Sequence, residues 1–87
     1  MANIEMYCTG SCPYCSMAES LLQSKGVAEI NKVRVDLNPE KRAEMMKKTG
    51  RHTVPQIYID DYHVGGYDDL SALDRAGKLD ALLTGAA

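Results

Sequence analysis

The spacing of apolar positions along the chain alternates between a period of two, typical of strands, and a period near 3.6, typical of helices. In the first segment with period two, Ile4 and Met6 fall on one face. In the second, three apolar residues alternate with Lys, Arg and Asp. We predict four strands, with a tight turn between the last two, at residues 3–7, 32–37, 54–59 and 62–64.

The first helix is predicted after a turn at residues 9–11. Its apolar positions follow the i, i+3, i+4, i+7 spacing of a helix with one buried face. Gly26 follows the last of them and is a typical residue just beyond a helix C-terminus. The residues expected on the apolar stripe are Tyr14, Met17, Ala18, Leu21 and Leu22.

Two further helical segments are predicted later in the chain. Asn38 and Pro39 fit the N-cap and first position of a helix that Gly50 ends. The last segment begins near Asp68, and Gly77 interrupts it. Its inward-facing residues are expected to be Leu70, Leu73 and Ala76, followed by Leu79, Leu82 and Leu83.

The order of elements is therefore β-α-β-α-β-β-α. The helical crossover between the first two strands requires that they be parallel, whereas the short third connection requires a hairpin. A mixed four-stranded sheet flanked by helices on both faces buries all of these apolar stripes. We predict an α/β fold in which residues 1–87 form a single domain.

Composition narrows the class of protein. The chain has 87 residues, of which 45% are hydrophobic and 25% charged, with a net charge of −2. This charge gives no electrostatic reason to expect nucleic acid or an anionic membrane as a partner. The sequence contains no signal-peptide pattern and no apolar run near the roughly 18 residues of a membrane span. We expect a monomeric cytoplasmic protein, and in that reducing compartment cysteines indicate redox catalysis or metal binding.

The main candidate for chemistry is the Cys-x-x-Cys pair at the start of the first helix. Cys12 falls at the N-cap, Pro13 at the first helical position and Cys15 at the third. The unpaired N–H groups and the positive end of the helix dipole stabilise a Cys12 thiolate. The i, i+3 spacing brings both sulfurs within disulfide reach. The pattern predicts thiol–disulfide exchange, with Cys12 as the nucleophile and Cys15 as the resolving thiol.

The cysteines also fit other kinds of site. Together with Cys8, His52 and His63 the pair could be part of a zinc site, but a second Cys-x-x-Cys is missing. The three cysteines also match the CxxxCxxC spacing of iron–sulfur radical enzymes, which need a far larger barrel. Cys8 itself fits either a small, partly buried residue or an accessory thiol that could trap Cys12. The sequence leaves the role of Cys8 open.

Three motifs together resemble the dithiol glutaredoxins, and the small bacterial members in particular. They are the CPYC run at residues 12–15, the TVP run at residues 53–55 and the GGYDDL run at residues 65–70. The resemblance implies a thioredoxin-like fold with a cis Val54–Pro55 bond. It also implies glutathione as co-substrate without a bound cofactor or metal, and disulfide-containing or glutathionylated proteins as substrates. The glutathione-binding residues that it implies are Tyr14, Arg42, Thr53, Val54, Pro55, Gly66, Asp68 and Asp69.

By the same resemblance, the Val54 backbone pairs with the cysteinyl part of glutathione. The Asp68 backbone takes the γ-glutamyl carboxylate, and Asp69 takes the ammonium group. Arg42 faces the glycyl carboxylate, a role that Arg51 could also fill. Independently of the family, two glycines before a helix permit positive φ and close approach of a ligand, and one of the two aspartates is expected to be the N-cap.

The chain departs from the family pattern at Thr9, where members commonly carry Lys. We therefore expect a less acidic Cys12 and weaker glutathione binding than is usual in the family. Two alternative functions stay open: a redoxin recharged by thioredoxin reductase, and an iron–sulfur carrier with a cluster bridged by two copies of Cys12. Pro13 argues against the carrier because its ring stiffens the motif.

Overall fold

A computed structural model describes residues 2–84, so that positions 1 and 85–87 of the predicted 1–87 domain lie outside the described residues. The elements follow the predicted order. They are β1 (Ile4–Cys8), α1 (Pro13–Ser24), β2 (Asn31–Arg34), α2 (Pro39–Thr49), β3 (Gln56–Ile59), β4 (Tyr62–Gly65), α3 (Tyr67–Arg75) and α4 (Leu79–Thr84). No helix in this part of the chain is long and apolar enough to cross a membrane.

The four strands form one mixed sheet in the order β2-β1-β3-β4. Strand β1 pairs parallel with β2 and antiparallel with β3, and β3 pairs antiparallel with β4. The predicted parallel crossover and the predicted hairpin are both confirmed. This thioredoxin-like arrangement leaves the end of β1, where α1 begins, near the middle of the sheet.

Helices cover both faces of the sheet, as the alternation in β1 predicts. Ile4, Met6 and Cys8 face a core to which α1, α3 and α4 contribute Leu22, Leu70 and Leu79, among others. Tyr7 points to the opposite face, where it packs in a smaller cluster with Val35, Met45 and Tyr58. A strand buried on both faces must contribute alternate side chains to two cores.

The predicted helix boundaries at Asn38, Gly50 and Gly77 are confirmed. The Asn38 side chain accepts hydrogen bonds from the N–H groups of Glu40 (3.1 Å) and Lys41 (3.4 Å), with Pro39 as the first helical residue. Gly50 caps the other end of α2 with a φ of 71°, and Gly77 separates α3 from α4 with a φ of 73°. These positive φ values are the conformation that glycine adopts without steric cost.

The predicted second strand is too long. Strand β2 ends at Arg34, and although Val35 is buried, Leu37 is 71% exposed. The chain turns away at Asp36, whose carboxylate binds the Arg34 side chain and the Gly10 N–H group. The third strand also begins later than predicted, at Gln56, because Pro55 has no N–H group with which to extend the ladder.

The predicted apolar stripe of α1 is wider than the face that the core covers. Ala18 and Leu22 are fully buried and Leu21 partly so, but Tyr14 is 57% and Met17 44% exposed. In α3, Leu70 is buried as predicted, whereas Ala76 lies at the exposed C-terminal end. The outward position of Tyr14 and Met17 leaves an apolar strip beside the cysteine pair.

Candidate active site

The cysteine pair lies where β1 passes into α1. Cys12 has an extended backbone and is the N-cap of α1, Pro13 is the first helical residue, and the Cys12 sulfur accepts a hydrogen bond of 3.1 Å from the Cys15 N–H group. The two sulfurs form a disulfide between Cα atoms 5.2 Å apart. Cys15 is only 5% exposed, whereas Cys12 is partly exposed. Cys12 is therefore the more exposed residue of the pair.

The loop before Cys12 is tied to β2 by two neighbouring charges. The Arg34 guanidinium donates two hydrogen bonds to the Asp36 carboxylate, at 2.8 and 2.7 Å. That carboxylate also accepts the Gly10 N–H group at 3.1 Å. The Arg34 hydrogen bonds hold the pKa of Asp36 well below its usual range. This charge-assisted anchor fixes the loop that positions Cys12. Sequence reasoning missed it because Gly10 and Asp36 are 26 positions apart in the chain.

A groove of about 370 Å³ opens beside the cysteine pair and is called the cis-proline groove below. One wall contains Val54 and Pro55, joined by the cis peptide bond that the family resemblance predicts. The other wall is the start of α3, where a Cβ atom on Gly66 would lie 3.5 Å from the Pro55 carbonyl oxygen. The lining residues are Tyr14, Arg51, Thr53, Val54, Pro55, Gly66, Tyr67, Asp68 and Asp69.

The groove brings together every predicted glutathione-binding residue except Arg42. Arg42 is exposed on α2 and is not among the lining residues, whereas Arg51, the second candidate for the same role, is. The Arg51 guanidinium lies 3.0 Å from the Asp69 carboxylate. The basic residue that lines the groove is therefore Arg51, in the segment after α2, and not Arg42 on α2 itself.

The start of α3 differs from the prediction in its cap. Its N-cap is Gly66, not Asp68 or Asp69, and the Asp69 carboxylate reaches back to accept the Gly66 N–H group at 3.0 Å. The Arg51 hydrogen bond, reinforced by that of Gly66, lowers the pKa of Asp69. Of the two glycines, Gly65 has the expected positive φ, at 106°, and Gly66 does not. An ionised Asp69 and the free N–H groups of the first turn thus face the groove together.

A buried amide supports the cis-proline wall from behind. Gln56 is fully buried, and its Nε2 donates hydrogen bonds to the Thr53 carbonyl oxygen (3.0 Å) and hydroxyl (3.3 Å). Its Oε1 faces His63 Nε2 at 2.8 Å. Partial burial lowers the pKa of His63, whose ring stacks on Tyr58. Sequence reasoning did not identify Gln56, although a polar residue inside an apolar strand is a signal for such a role.

All three cysteines line a second, smaller cavity of about 190 Å³ on the other side of the pair. Cys8 is 3% exposed, and burial raises the pKa of its thiol. Lys32 and Arg34 also border the cavity, but each is paired with a carboxylate, Lys32 with Glu19 at 2.6 Å. Within residues 2–84, no group of three or more His, Cys, Asp or Glu residues is arranged to hold a metal ion. A larger depression, of about 850 Å³ around Val27, contains no cysteine.

Known proteins that resemble this chain in sequence are glutaredoxins. The Glutaredoxin family profile matches residues 4–64. Glutaredoxin 3 of Escherichia coli (strain K12) is 55% identical over 83 residues, which are 95% of this chain and 99% of that protein. A glutaredoxin of Pseudomonas aeruginosa is also 55% identical, over 84 residues covering 97% of this chain and 99% of that protein.

Solved structures give the same result. The solution structure of glutaredoxin from Brucella melitensis has a TM-score of 0.85 at 48% identity and covers 100% of this chain and 94% of that one. The crystal structure of a buckwheat glutaredoxin–glutathione complex has a TM-score of 0.88 at 28% identity, covering 98% of this chain and 79% of that one. With a matching profile, near full-length relatives and a cysteine pair at the start of α1, the chain belongs to the glutaredoxin family of thiol–disulfide oxidoreductases.

Proposed function

We propose that this protein reduces protein disulfides and protein–glutathione mixed disulfides in the cytoplasm, with glutathione as the electron donor. The observation that carries the proposal is the cis-proline groove. It combines a cis-proline wall, an unblocked helix N-terminus and two opposite charges, Arg51 and Asp69, within one cavity beside the Cys12–Cys15 pair. A tripeptide with two carboxylates, one ammonium group and a central thiol matches that set of partners.

Each end of glutathione has a complementary group in the groove. The γ-glutamyl carboxylate would accept hydrogen bonds from the first N–H groups of α3, including that of Asp68, and the ammonium would pair with the Asp69 carboxylate. The Val54 backbone, next to Pro55, would pair with the cysteinyl residue. Arg51 would leave its contact with Asp69 to bind the glycyl carboxylate. Bound in this way, the glutathione sulfur points toward Cys12.

The full cycle for a protein disulfide consists of four thiol–disulfide exchanges, two that reduce the substrate and two that restore the dithiol. For a protein disulfide, the Cys12 thiolate attacks one substrate sulfur, which forms a mixed disulfide and releases the other sulfur as a thiolate. The Cys15 thiol then loses its proton and attacks the Cys12 sulfur, so that the substrate leaves fully reduced and the protein holds the Cys12–Cys15 disulfide. Two glutathione molecules restore the dithiol: the first forms a mixed disulfide with Cys12, and the second removes it as glutathione disulfide. The helix N-terminus favours the Cys12 thiolate in the two steps that involve it, the attack on the substrate and the final release by the second glutathione.

For a glutathionylated substrate, Cys15 is not needed. The Cys12 thiolate attacks the glutathione sulfur and releases the protein thiolate. A second glutathione then attacks the glutathione sulfur bound to Cys12, which forms glutathione disulfide and frees the Cys12 thiolate. This difference between the two substrate classes provides the experiment. The initial rate of reduction of a glutathione mixed disulfide is measured by coupling to glutathione reductase and NADPH, for the wild type, Cys12→Ser and Cys15→Ser.

Activity in the wild type and in Cys15→Ser, with none in Cys12→Ser, is the expected result. Reduction of insulin disulfides with thioredoxin reductase, combined with no activity in the glutathione assay, would overturn the assignment of glutathione as donor. A visible-light chromophore in freshly purified protein, lost in Cys12→Ser, would instead favour the iron–sulfur carrier.

A further inference from the structure

The outward apolar face of α1 borders a shallow, open groove that the glutathione chemistry does not use. It has a volume of about 460 Å³, and among residues 2–84 no charged side chain lines it. We call it the α1–α3 groove; its lining residues are Ser16, Met17, Ser20, Leu21 and Tyr67. Tyr14, Met17 and Leu21 follow the i, i+3, i+7 spacing of one helix face, although the core covers none of them fully. An apolar strip exposed in this way marks a binding surface more often than a scattered exposed residue does.

The α1–α3 groove is continuous with the site of the chemistry. Tyr67 lines both this groove and the cis-proline groove. The Tyr67 ring lies 6.2 Å from the ring of Tyr14, centroid to centroid, so that the two tyrosines form a shared rim between the grooves. The entrance of the α1–α3 groove therefore lies next to the rim of the cis-proline groove.

The mixed disulfide fixes where a protein substrate can lie. A disulfide holds the two Cα atoms about 4.4–6.8 Å apart, so the substrate cysteine is confined to the immediate surroundings of Cys12. Because α1 rises about 1.5 Å per residue, Met17 lies about 7.5 Å and Leu21 about 13.5 Å along the helix from Cys12. An extended substrate advances about 3.3 Å per residue. Side chains about two to four positions from the substrate cysteine therefore come level with Met17 and Leu21.

Glutathione itself offers no side chain that could use this surface, because its cysteine is flanked only by glycine and a γ-linked glutamate. A protein substrate offers several. The occupant that matches the groove is uncharged and apolar, since methionine and leucine supply the contacts and the polar members are two small serines. Met17 is suited to such contacts because its flexible, polarizable side chain adapts to different apolar shapes.

We propose that the α1–α3 groove is the docking site for apolar side chains that flank the disulfide of a protein substrate, and that it makes the enzyme prefer disulfides in apolar sequence surroundings. The inference rests on thiol–disulfide exchange at Cys12, which is part of the proposed function. It does not depend on glutathione as the donor. Covering one apolar side chain in the groove is expected to accelerate the reaction about tenfold, equivalent to about 1.4 kcal/mol.

The test uses single-turnover oxidation of the pre-reduced protein by a peptide disulfide, with no glutathione present. Two disulfide-linked peptide dimers are compared, both capped and uncharged, with Phe or with Ser at the second to fourth positions on either side of the cysteine. Cys12 attacks one peptide sulfur and Cys15 completes the exchange, so each protein molecule releases two peptide thiols. The proteins compared are the wild type, Met17→Lys, Met17→Ser and Leu37→Lys. Leu37 is the matched control because it is exposed and lines neither groove.

The wild type and Leu37→Lys are expected to react about tenfold faster with the Phe peptide than with the Ser peptide, a ratio that corresponds to about 1.4 kcal/mol. Met17→Lys should bring this ratio close to one while leaving the Ser-peptide rate within about twofold, and Met17→Ser should give an intermediate ratio. Equal wild-type rates for the two peptides, or a preference that survives in Met17→Lys, would overturn the proposal. A preference lost equally in Leu37→Lys would also overturn it. These rates are measured without glutathione, so they do not depend on glutathione being the electron donor. A negative result in the glutathione-coupled assay would therefore overturn the proposed donor without overturning the docking site.

Discussion

Replacing Gln56 with Leu removes a buried amide without changing the size of the side chain much. The wild-type amide makes contacts of 3.0 and 3.3 Å with Thr53 and 2.8 Å with His63, and the side chain is fully buried. Thr53 directly precedes the cis-proline wall, so this amide connects the hydrophobic core to the groove that we assign to glutathione. The substitution is therefore expected to change both stability and substrate binding.

The size of the stability effect can be worked from these contacts. Each hydrogen bond contributes about 1 kcal/mol net, which gives a loss of roughly 2–3 kcal/mol. The leucine side chain returns part of this, about 1 kcal/mol, because its apolar atoms gain from burial where the amide was. The free energy of unfolding should fall by about 1–2 kcal/mol, and at about 4–8 °C per kcal/mol for a domain of this size, Tm should fall by roughly 5–15 °C.

The groove should respond as well, because Thr53 and Val54 lose the anchor that holds them. The KM for a glutathione mixed disulfide is expected to rise about fivefold, the equivalent of one lost hydrogen bond of about 1 kcal/mol, with kcat less affected. Thermal unfolding and steady-state kinetics on the same preparation measure the two effects. Gln23→Leu is the control, since Gln23 is exposed on α1 and the same chemical change there should cost less than about 0.5 kcal/mol. An unfolding midpoint for Gln56→Leu equal to that of the control, or an unchanged KM, would refute the reasoning.

Three further predictions follow from single contacts. Leu22→Ala should lower the free energy of unfolding by about 2–5 kcal/mol in urea denaturation, because the side chain is fully buried in the main core. Asp36→Asn should lower Tm most at neutral pH, because Arg34 depresses the folded-state pKa of Asp36. The stabilisation from this ion pair is present above the unfolded pKa of about 3.9 and disappears as pH falls through the folded-state pKa. Arg51→Gln should raise the KM for a glutathione mixed disulfide about three- to tenfold by removing a charged hydrogen-bond partner from the groove, whereas Arg42→Gln should change it less than about twofold.

Each of these has a contrary outcome. For Leu22→Ala, the control is Leu37→Ala at an exposed position. A decrease in the free energy of unfolding for Leu37→Ala as large as that for Leu22→Ala would contradict the assignment of Leu22 to the core. For Asp36, a difference in Tm from the wild type that stays constant down to a pH of about 2 would contradict the ion pair. For the arginines, a larger increase in KM for Arg42→Gln than for Arg51→Gln would indicate that Arg42, and not Arg51, binds the glycyl carboxylate.

Capping chemistry and strand alternation were the features that could be predicted most closely from sequence. The Asn38–Pro39 start, the Gly50 end and the position of Cys12 at the start of α1 depend on interactions within a few residues. A local pattern therefore suffices to place them. The alternation of Ile4, Met6 and Cys8 with Tyr7 likewise follows from strand geometry alone.

What could not be predicted depends on contacts between distant parts of the chain. The apolar positions of α1 extend around more of the helix than the core covers, and periodicity alone does not tell which of them stay exposed. Arg51 meets Asp69 across 18 positions, and Gly10 meets Asp36 across 26. The N-cap of α3 is a glycine with no side chain, and the capping carboxylate comes from Asp69 inside the helix, so the residue type at the N-cap gives no signal of it. Family resemblance supplied the groove residues, but only the fold distinguishes Arg51 from Arg42.

The most direct test of the central claim is to trap the first covalent intermediate. Reduced Cys15→Ser protein is treated with glutathione disulfide, and intact-mass analysis and peptide mapping locate the adduct. The account predicts one glutathione per protein, attached to Cys12, because Cys12 is partly exposed at the helix N-terminus while Cys8 is buried. The adduct should be released by further glutathione. An adduct on Cys8, or a Cys12 that stays unmodified, would contradict both the nucleophile and the electron donor assigned to this protein.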